Sequence, residues 1–201
     1  MKIVAHSAAG LFYAVQTLRQ LGPVSPELEI EDQPALAYRG VMMDFAHGSL
    51  LKIGEIKRQI DFLAMWKVNQ YYFYNEVSME MKGYESLNIG AAYTQQEVKE
   101  IIDYGRLRQM DVVPFVAFYG HLHDLLKREK YASMGIGKYG EELDPRNPSG
   151  TADAEGMDRA VCAAVQKPLC TRRIRRDLGD KSYLEGGRQH RAFGTTVAAT
   201  P

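Results

Sequence analysis

The chain has 201 residues, with Lys plus Arg and Asp plus Glu at 25 each, so its formal net charge is zero; hydrophobic residues make up 45% and charged residues 25%. That balance excludes a chain too polar to build a core and offers no overall basic excess for tight binding to nucleic-acid phosphates. No apolar run reaches the roughly 18 residues of a membrane span, and two cysteines exclude a disulfide framework or a four-thiolate zinc site.

Residues 2–6 (Lys-Ile-Val-Ala-His) suit a short strand. From Ala8 the spacing turns helical, with Leu11, Ala14, Val15, Leu18 and Leu21 on one face, and Gly22-Pro23 ends the helix. His6, Gln16, Arg19 and Gln20 interrupt the apolar run, which argues for an amphipathic helix packed on a sheet rather than a signal peptide. Residues 23–37 read as a linker marked by Pro23, Pro26 and Pro34, with one strand over 27–31. Residues 38–46 read as a buried strand. A helix follows with Ile53, Ile56, Ile60 and Leu63 on one face, and the aromatic-rich stretch 69–74 is strand-like. Thr94 and Glu97 form a capping box that opens a helix through Val98, Ile101, Ile102 and Leu107. Residues 111–118 are the third apolar strand, and Tyr119-Gly120-His121 turns into a short helix over 122–130.

Alternation of strand and helix predicts an α/β fold with a parallel sheet and right-handed crossovers. No glycine fingerprint for a dinucleotide or a phosphate follows any strand, which favours part of a (β/α)8 barrel over a doubly wound nucleotide-binding sheet. In such barrels the site lies at the strand C-terminal ends. The polar residues there are Asp44 and His47, then Asn75 and Glu76, then His121 and His123. Converging carboxylates and a histidine suit acid–base or sugar-binding work; the plainer reading is solvated loop charges. A metal site from His47, His121 and His123 lacks the helical His pair of known zinc motifs, so no metal is expected. Tyr71, Tyr72 and Tyr74 read as packing residues, although aromatic rims also bind sugars.

The end of the chain differs in character. Residues 1–150 hold 16 Lys/Arg and 19 Asp/Glu, whereas residues 151–201 hold 9 and 6. Of the 19 Tyr and Phe residues only Tyr183 and Phe193 lie in that tail, which also contains both Cys162 and Cys170.

Four stretches together resemble the family 20 glycoside hydrolases, the β-N-acetylhexosaminidases. Residues 8–21 resemble the last helix of the small α/β domain that precedes the barrel. Tyr38-Arg39-Gly40-Val41-Met42-Met43-Asp44 resembles barrel strand 1, residues 60–69 resemble helix 1 running into strand 2, and residues 113–121 resemble strand 3 with its loop. The resemblance implies the end of a small domain over 1–22, a linker over 23–37 and the first three βα units of a TIM barrel over 38–148. It implies a substrate-assisted, retaining hydrolysis of terminal N-acetylhexosamine from a glycan, in which the acetamido oxygen attacks the anomeric carbon, a Glu protonates the leaving oxygen and the adjacent Asp orients the acetamido group. No cofactor is implied, and neither nucleic acid nor membrane is an expected partner. Arg39 matches the family's arginine that grips sugar hydroxyls, and its fixed fork of donors suits two adjacent hydroxyls. His121 matches the family's His after Gly on strand 3, which lies near the acid, and Asp44, at the end of the matched strand 1, joins Arg39, Glu76 and His121 as an expected substrate-binding residue. Two departures stand out. His47 occupies a position that often holds Arg, and Tyr72, Tyr74 and Val77 replace the family's His-x-His-x-x-Asp, leaving Glu76 as the substitute carboxylate.

The family's catalytic His-x-Gly-x-Asp-Glu motif does not occur in this sequence. Read one base forward, however, the codons of residues 166–180 are compatible with Arg-Ser-Pro-Phe-Val-His-Val-Gly-Phe-Asp-Glu-Thr-Trp-Glu. The expectation is therefore a non-homologous, frameshifted and disordered tail over 149–201, with the shift near Ser149–Thr151, and a chain inactive by itself. Two rivals are a non-catalytic carbohydrate-binding half-barrel and a nucleic-acid binder using the arginines of residues 172–176; composition does not favour the second.

Overall fold

A computed structural model describes residues 2–23, 29–76, 78–87, 90–117, 119–136 and 140–165, the last helix by backbone alone at 158 and 162–165. Three strands, β1 (Gly40–Asp44), β2 (Gln70–Asn75) and β3 (Asp111–Val116), form one parallel sheet in the order β1-β2-β3. Helix α2 (Ile53–Met65) connects the first pair and α3 (Gln95–Arg106) the second. Helix α1 (Ala8–Leu21) precedes them, and α4 (His123–Leu126), α5 (Glu129–Ala132) and α6 (Pro148–Val165) follow. The architecture is the expected α/β alternation with parallel pairing.

Register fixes the two faces. Met42, Tyr72 and Val113 lie side by side, as do Asp44, Tyr74 and Phe115. The intervening residues Tyr71, Phe73, Asn75 and Val112 are buried. Against them pack Ile56, Ile60 and Ala64 of α2 and Val98, Ile101 and Ile102 of α3. Phe45 stacks on Phe73 with centroids 4.2 Å apart, and Tyr93 meets both edge-on. A cavity of about 10 Å³ between sheet and α3, lined by Phe73, Val98, Ile101 and Val112, has room for at most one water. Gly40 leaves space for the Tyr72 ring, whose nearest atom is 2.6 Å from where a Cβ would stand.

Both βα units end alike. In α2 the N–H of Lys67 donates to the Ala64 carbonyl and that of Val68 to Leu63; after α3 the N–H of Gln109 donates to Arg106 and that of Met110 to Gly105. These are Schellman motifs, and each puts its turn residue in the left-handed region, with φ 61° at Lys67 and 55° at Gln109. Neither is the glycine that such a turn favours. Gln109→Gly is expected to raise stability by about 0.5–1 kcal/mol, the relief of left-handed strain exceeding the added unfolded-chain entropy; a denaturation midpoint that moves down would refute this.

Several expectations are corrected. Residues 2–6 form no strand, with no strand among the described residues beside them to pair with, and residues 29–31 are irregular, 24–28 lying outside the described residues. Strand β1 is not buried but half-open: Met42 is 58% exposed, because no layer covers its face of the sheet among the described residues. In α1 the predicted stripe points outward, with Leu11, Val15 and Leu21 exposed, while Gln16 is buried and Phe12 packs on the core. Leu107 is exposed too, since it lies just past α3 where the chain turns toward β3. The predicted helix over 122–130 is two short ones, α4 and α5.

The tail is corrected as well. Disorder was expected from residue 149, yet residues through Val165 are helical, with Ala154, Met157 and Val161 buried at helical spacing and Tyr84 donating to the Asp153 carbonyl at 3.1 Å. Alanine-rich sequence with apolar residues three and four apart is sufficient to form such a helix. Residues 166–201, with the arginine cluster, lie outside the described residues.

Candidate functional site

Parallel strands present their C-terminal ends on one side. There β1 ends in Asp44, directly beside Tyr74 of β2, and Glu76 follows two residues on, so alternation places it on the same face as Tyr74. The chain turns back after Asp44 because its Oδ1 accepts from the N–H groups of Ala46 (2.8 Å) and His47 (3.2 Å), an Asx turn. That turn brings His47 Nδ1 to 2.8 Å from Asp44 Oδ2. On its other side His47 Nε2 lies 3.9 Å from Glu76 Oε1, which is ion-pair range but too long for a hydrogen bond. The Tyr74 hydroxyl donates to the same Oε1 at 2.9 Å, and the His47 ring lies nearly parallel to the Tyr74 ring, with centroids 6.4 Å apart. Phe115 of β3 closes the row, its centroid 5.5 Å from that of Tyr74.

The electrostatics follow from these contacts. Partial desolvation pushes the Asp44 carboxyl up, but the hydrogen bonds from His47 and the two backbone N–H groups outweigh it and hold the group below the usual carboxylate range. The Asp44 hydrogen bond and charge, with smaller contributions from Glu76 and Asp124, hold the His47 imidazole above its ordinary value. Desolvation, then the Glu76 hydrogen bond, pushes the Tyr74 phenol up to about 12. Glu76 is only 10% exposed, against 47% for Asp44 and 69% for His47. The site thus places the carboxyl groups of Asp44 and Glu76 side by side, with Asp44 held ionised.

Other sequence-predicted residues fall elsewhere. The structure does not bring Arg39 to this cluster. It lies just before β1, at the opposite end of the strands, where its Nε donates to the Lys67 carbonyl at 2.8 Å and its Nη1 to Leu36 at 2.6 Å, with the guanidinium 5.4 Å over the Tyr13 ring. These bonds tie the β1 entry to the Schellman turn after α2. His121 is exposed, with φ 57°, and makes no hydrogen bond or ion pair among the described residues. The loop it opens is closed by the Leu122 N–H on the Glu141 carbonyl and the Leu143 N–H on that of Tyr119. Asn75 faces the helices, fully buried, and among the described residues neither its amide atoms nor the buried Ser78 hydroxyl has a hydrogen-bond partner; each such group costs about 1–3 kcal/mol. Tyr74, read as packing, proves to hold Glu76, and its two-residue spacing on a strand was the available signal. Among the described residues no three His, Cys, Asp or Glu side chains are grouped to hold a metal ion, and no helix is long and apolar enough to cross a membrane.

A model of the glycosyl hydrolase family 20 catalytic domain matches residues 36–166. The chain belongs to this family. The match runs past the boundary expected at 149. Among curated relatives, the beta-hexosaminidase of Porphyromonas gingivalis is 32% identical over 151 residues, covering 60% of this chain and 19% of that protein. The beta-hexosaminidase of Akkermansia muciniphila is 28% identical over 147 residues, covering 58% and 30%. Among solved structures, the family 20 β-N-acetylhexosaminidase of Streptomyces coelicolor A3(2) superposes with a TM-score of 0.67 at 25% identity, over 81% of this chain and 40% of its own. A mutant Streptomyces plicatus beta-hexosaminidase in complex with its product GlcNAc gives 0.66 at 26% identity, over 82% and 40%. The chain therefore spans well under half the length of these relatives.

Proposed function

We propose that this chain carries the first three βα units of a family 20 TIM barrel and one wall of its glycan site. The observation that carries the reading is the convergence of Asp44, His47, Tyr74 and Glu76 at the C-terminal ends of β1 and β2, where a barrel of this family works. In this reading Asp44 and Glu76 accept hydrogen bonds from hydroxyls of a terminal N-acetylhexosamine, and the aromatic faces of Tyr74 and Phe115 lie beside them. Asp44 is held ionised and so serves as an acceptor, not as a proton donor. Arg39 anchors the start of β1 in this chain and stays a candidate for the sugar hydroxyls. His121 stays a candidate at the rim, on the loop after β3.

Hydrolysis in this family needs the adjacent Asp and Glu of the His-x-Gly-x-Asp-Glu motif, which this sequence lacks in its present frame. The 201-residue chain by itself is therefore expected to show no turnover of a chromogenic N-acetylglucosaminide above the buffer blank. Turnover that survives purification to homogeneity would overturn this. The companion proposal is a gained or lost base upstream of residue 166. Resequencing the DNA for residues 144–201 from an independent template tests it: the corrected frame should read His-Val-Gly-Phe-Asp-Glu. Confirmation of the present frame would sink it.

A further inference from the structure

We propose that His47 is the positioning residue of this site: as an imidazolium it spans the mouths of β1 and β2 and holds Asp44 and Glu76 together as hydroxyl acceptors, so that glycan affinity follows a single proton. The proposal rests on the sugar-site reading above.

The geometry is that of a bridge with unequal arms. Nδ1 is hydrogen-bonded to Asp44 at 2.8 Å, whereas Nε2 faces Glu76 at 3.9 Å. The ring is kept in this orientation by the Asx turn behind it and by the Tyr74 ring alongside, whose hydroxyl fixes the very oxygen that Nε2 faces. An imidazolium has an N–H for each arm, and a neutral imidazole has one. On deprotonation the shorter contact keeps that N–H, and Nε2 turns a lone pair toward the Glu76 carboxylate. Attraction between the strand mouths becomes repulsion. The charges that act on the ring among the described residues include three acidic groups: Asp44 at the end of β1, Glu76 after β2 and, by its charge alone, Asp124 on α4. Tyr74 stays neutral across the physiological range. An arginine here would hold both carboxylates at every accessible pH, whereas a histidine makes the bridge conditional.

The sign is fixed by the same contacts. Because the His47 value is raised, the bridge is intact below about 6.5, the unperturbed histidine value, and is lost as pH rises through the higher folded value. His47 is largely exposed, so screening keeps the effect modest, about two- to fivefold in affinity.

The test follows the His47 ring by NMR across a pH titration of the 201-residue protein, its signal assigned by loss in His47→Gln. The midpoint should lie above that of an unstructured histidine, fall in Asp44→Asn and fall by less in Glu76→Gln. A midpoint unmoved by Glu76→Gln overturns the bridge. The second measurement is GlcNAc affinity by saturation-transfer NMR over the same pH range. Binding should weaken two- to fivefold through the His47 midpoint, and His47→Arg should flatten the profile while preserving binding. Binding whose profile ignores that midpoint overturns the positioning role and leaves the sugar site standing. No binding at any pH, with the titration as described, overturns the sugar-site reading and this proposal with it.

Discussion

Ile60→Ala is expected to lower the unfolding free energy by about 2–5 kcal/mol, the range for removing a buried branched side chain and leaving a partly relaxed cavity. Ile60 is fully buried in the middle of α2, in the layer that also holds Ile56, Ile101 and Tyr71. The high end applies if the site cannot collapse, and two features argue that it cannot. The sheet side is made of aromatic rings held by mutual contacts, Phe45 on Phe73 and Tyr93 on both. The α2 helix is also tied to the sheet, where the Gln59 side chain accepts from the Tyr71 hydroxyl at 2.7 Å. Urea unfolding followed by circular dichroism measures the change; a loss below about 1 kcal/mol would show that this layer repacks freely.

Gly105→Ala should also destabilise, by about 1–2 kcal/mol, and the sign is the informative part. Alanine in place of a helical glycine ordinarily gains up to about 1 kcal/mol. Here a Cβ would stand 2.7 Å from Val112 Cγ2 and 3.0 Å from the Met110 carbonyl oxygen. Neither can step aside cheaply: Val112 is a buried, β-branched strand residue, and Met110 belongs to the turn whose N–H bonds back to the Gly105 carbonyl. Overpacking of this kind costs about 1–3 kcal/mol and outweighs the helical gain. Gly54 near the start of α2 is the control. Nothing stands within 4 Å of its Cβ position, so Gly54→Ala should stabilise by about 0.5 kcal/mol. Equal signs for the two variants would refute the steric account.

The elements were readable because local signals agreed with the tertiary result. The Thr94–Glu97 capping box is present with both hydrogen bonds, and the spacing of Ile53, Ile56 and Ile60 is the spacing of a buried face. What failed was the environment of each element, which depends on neighbours far away in the chain. The Leu11–Val15–Leu21 stripe is apolar by pattern and exposed in fact, and the pattern of β1 does not tell whether a layer covers Met42. The Schellman turns escaped notice because Lys67 and Gln109 carry no turn signature. At the site, Asp44, His47 and Glu76 were legible from their place at strand ends, but the bridge between them is not encoded in spacing; it comes from parallel register and an Asx turn. Arg39 is bonded to the Lys67 and Leu36 carbonyls at the start of β1, a placement that its order in the sequence does not convey.

The half-open face of the sheet bears on how this chain is made. Synthesis from the N-terminus releases β1, β2 and β3 one after another, at roughly 5–20 residues per second, so β1 and β2 are made before β3 can cover the edge of β2. During that interval the face carrying Met42, Tyr72 and Tyr74 is washed by water. It is not a bare aliphatic surface. The Tyr72 hydroxyl donates to Gln70, that of Tyr74 to Glu76, and Asp44 and Asp111 sit at opposite ends of its edge strands. Those polar tips make the half-open sheet face wettable rather than a bare apolar surface.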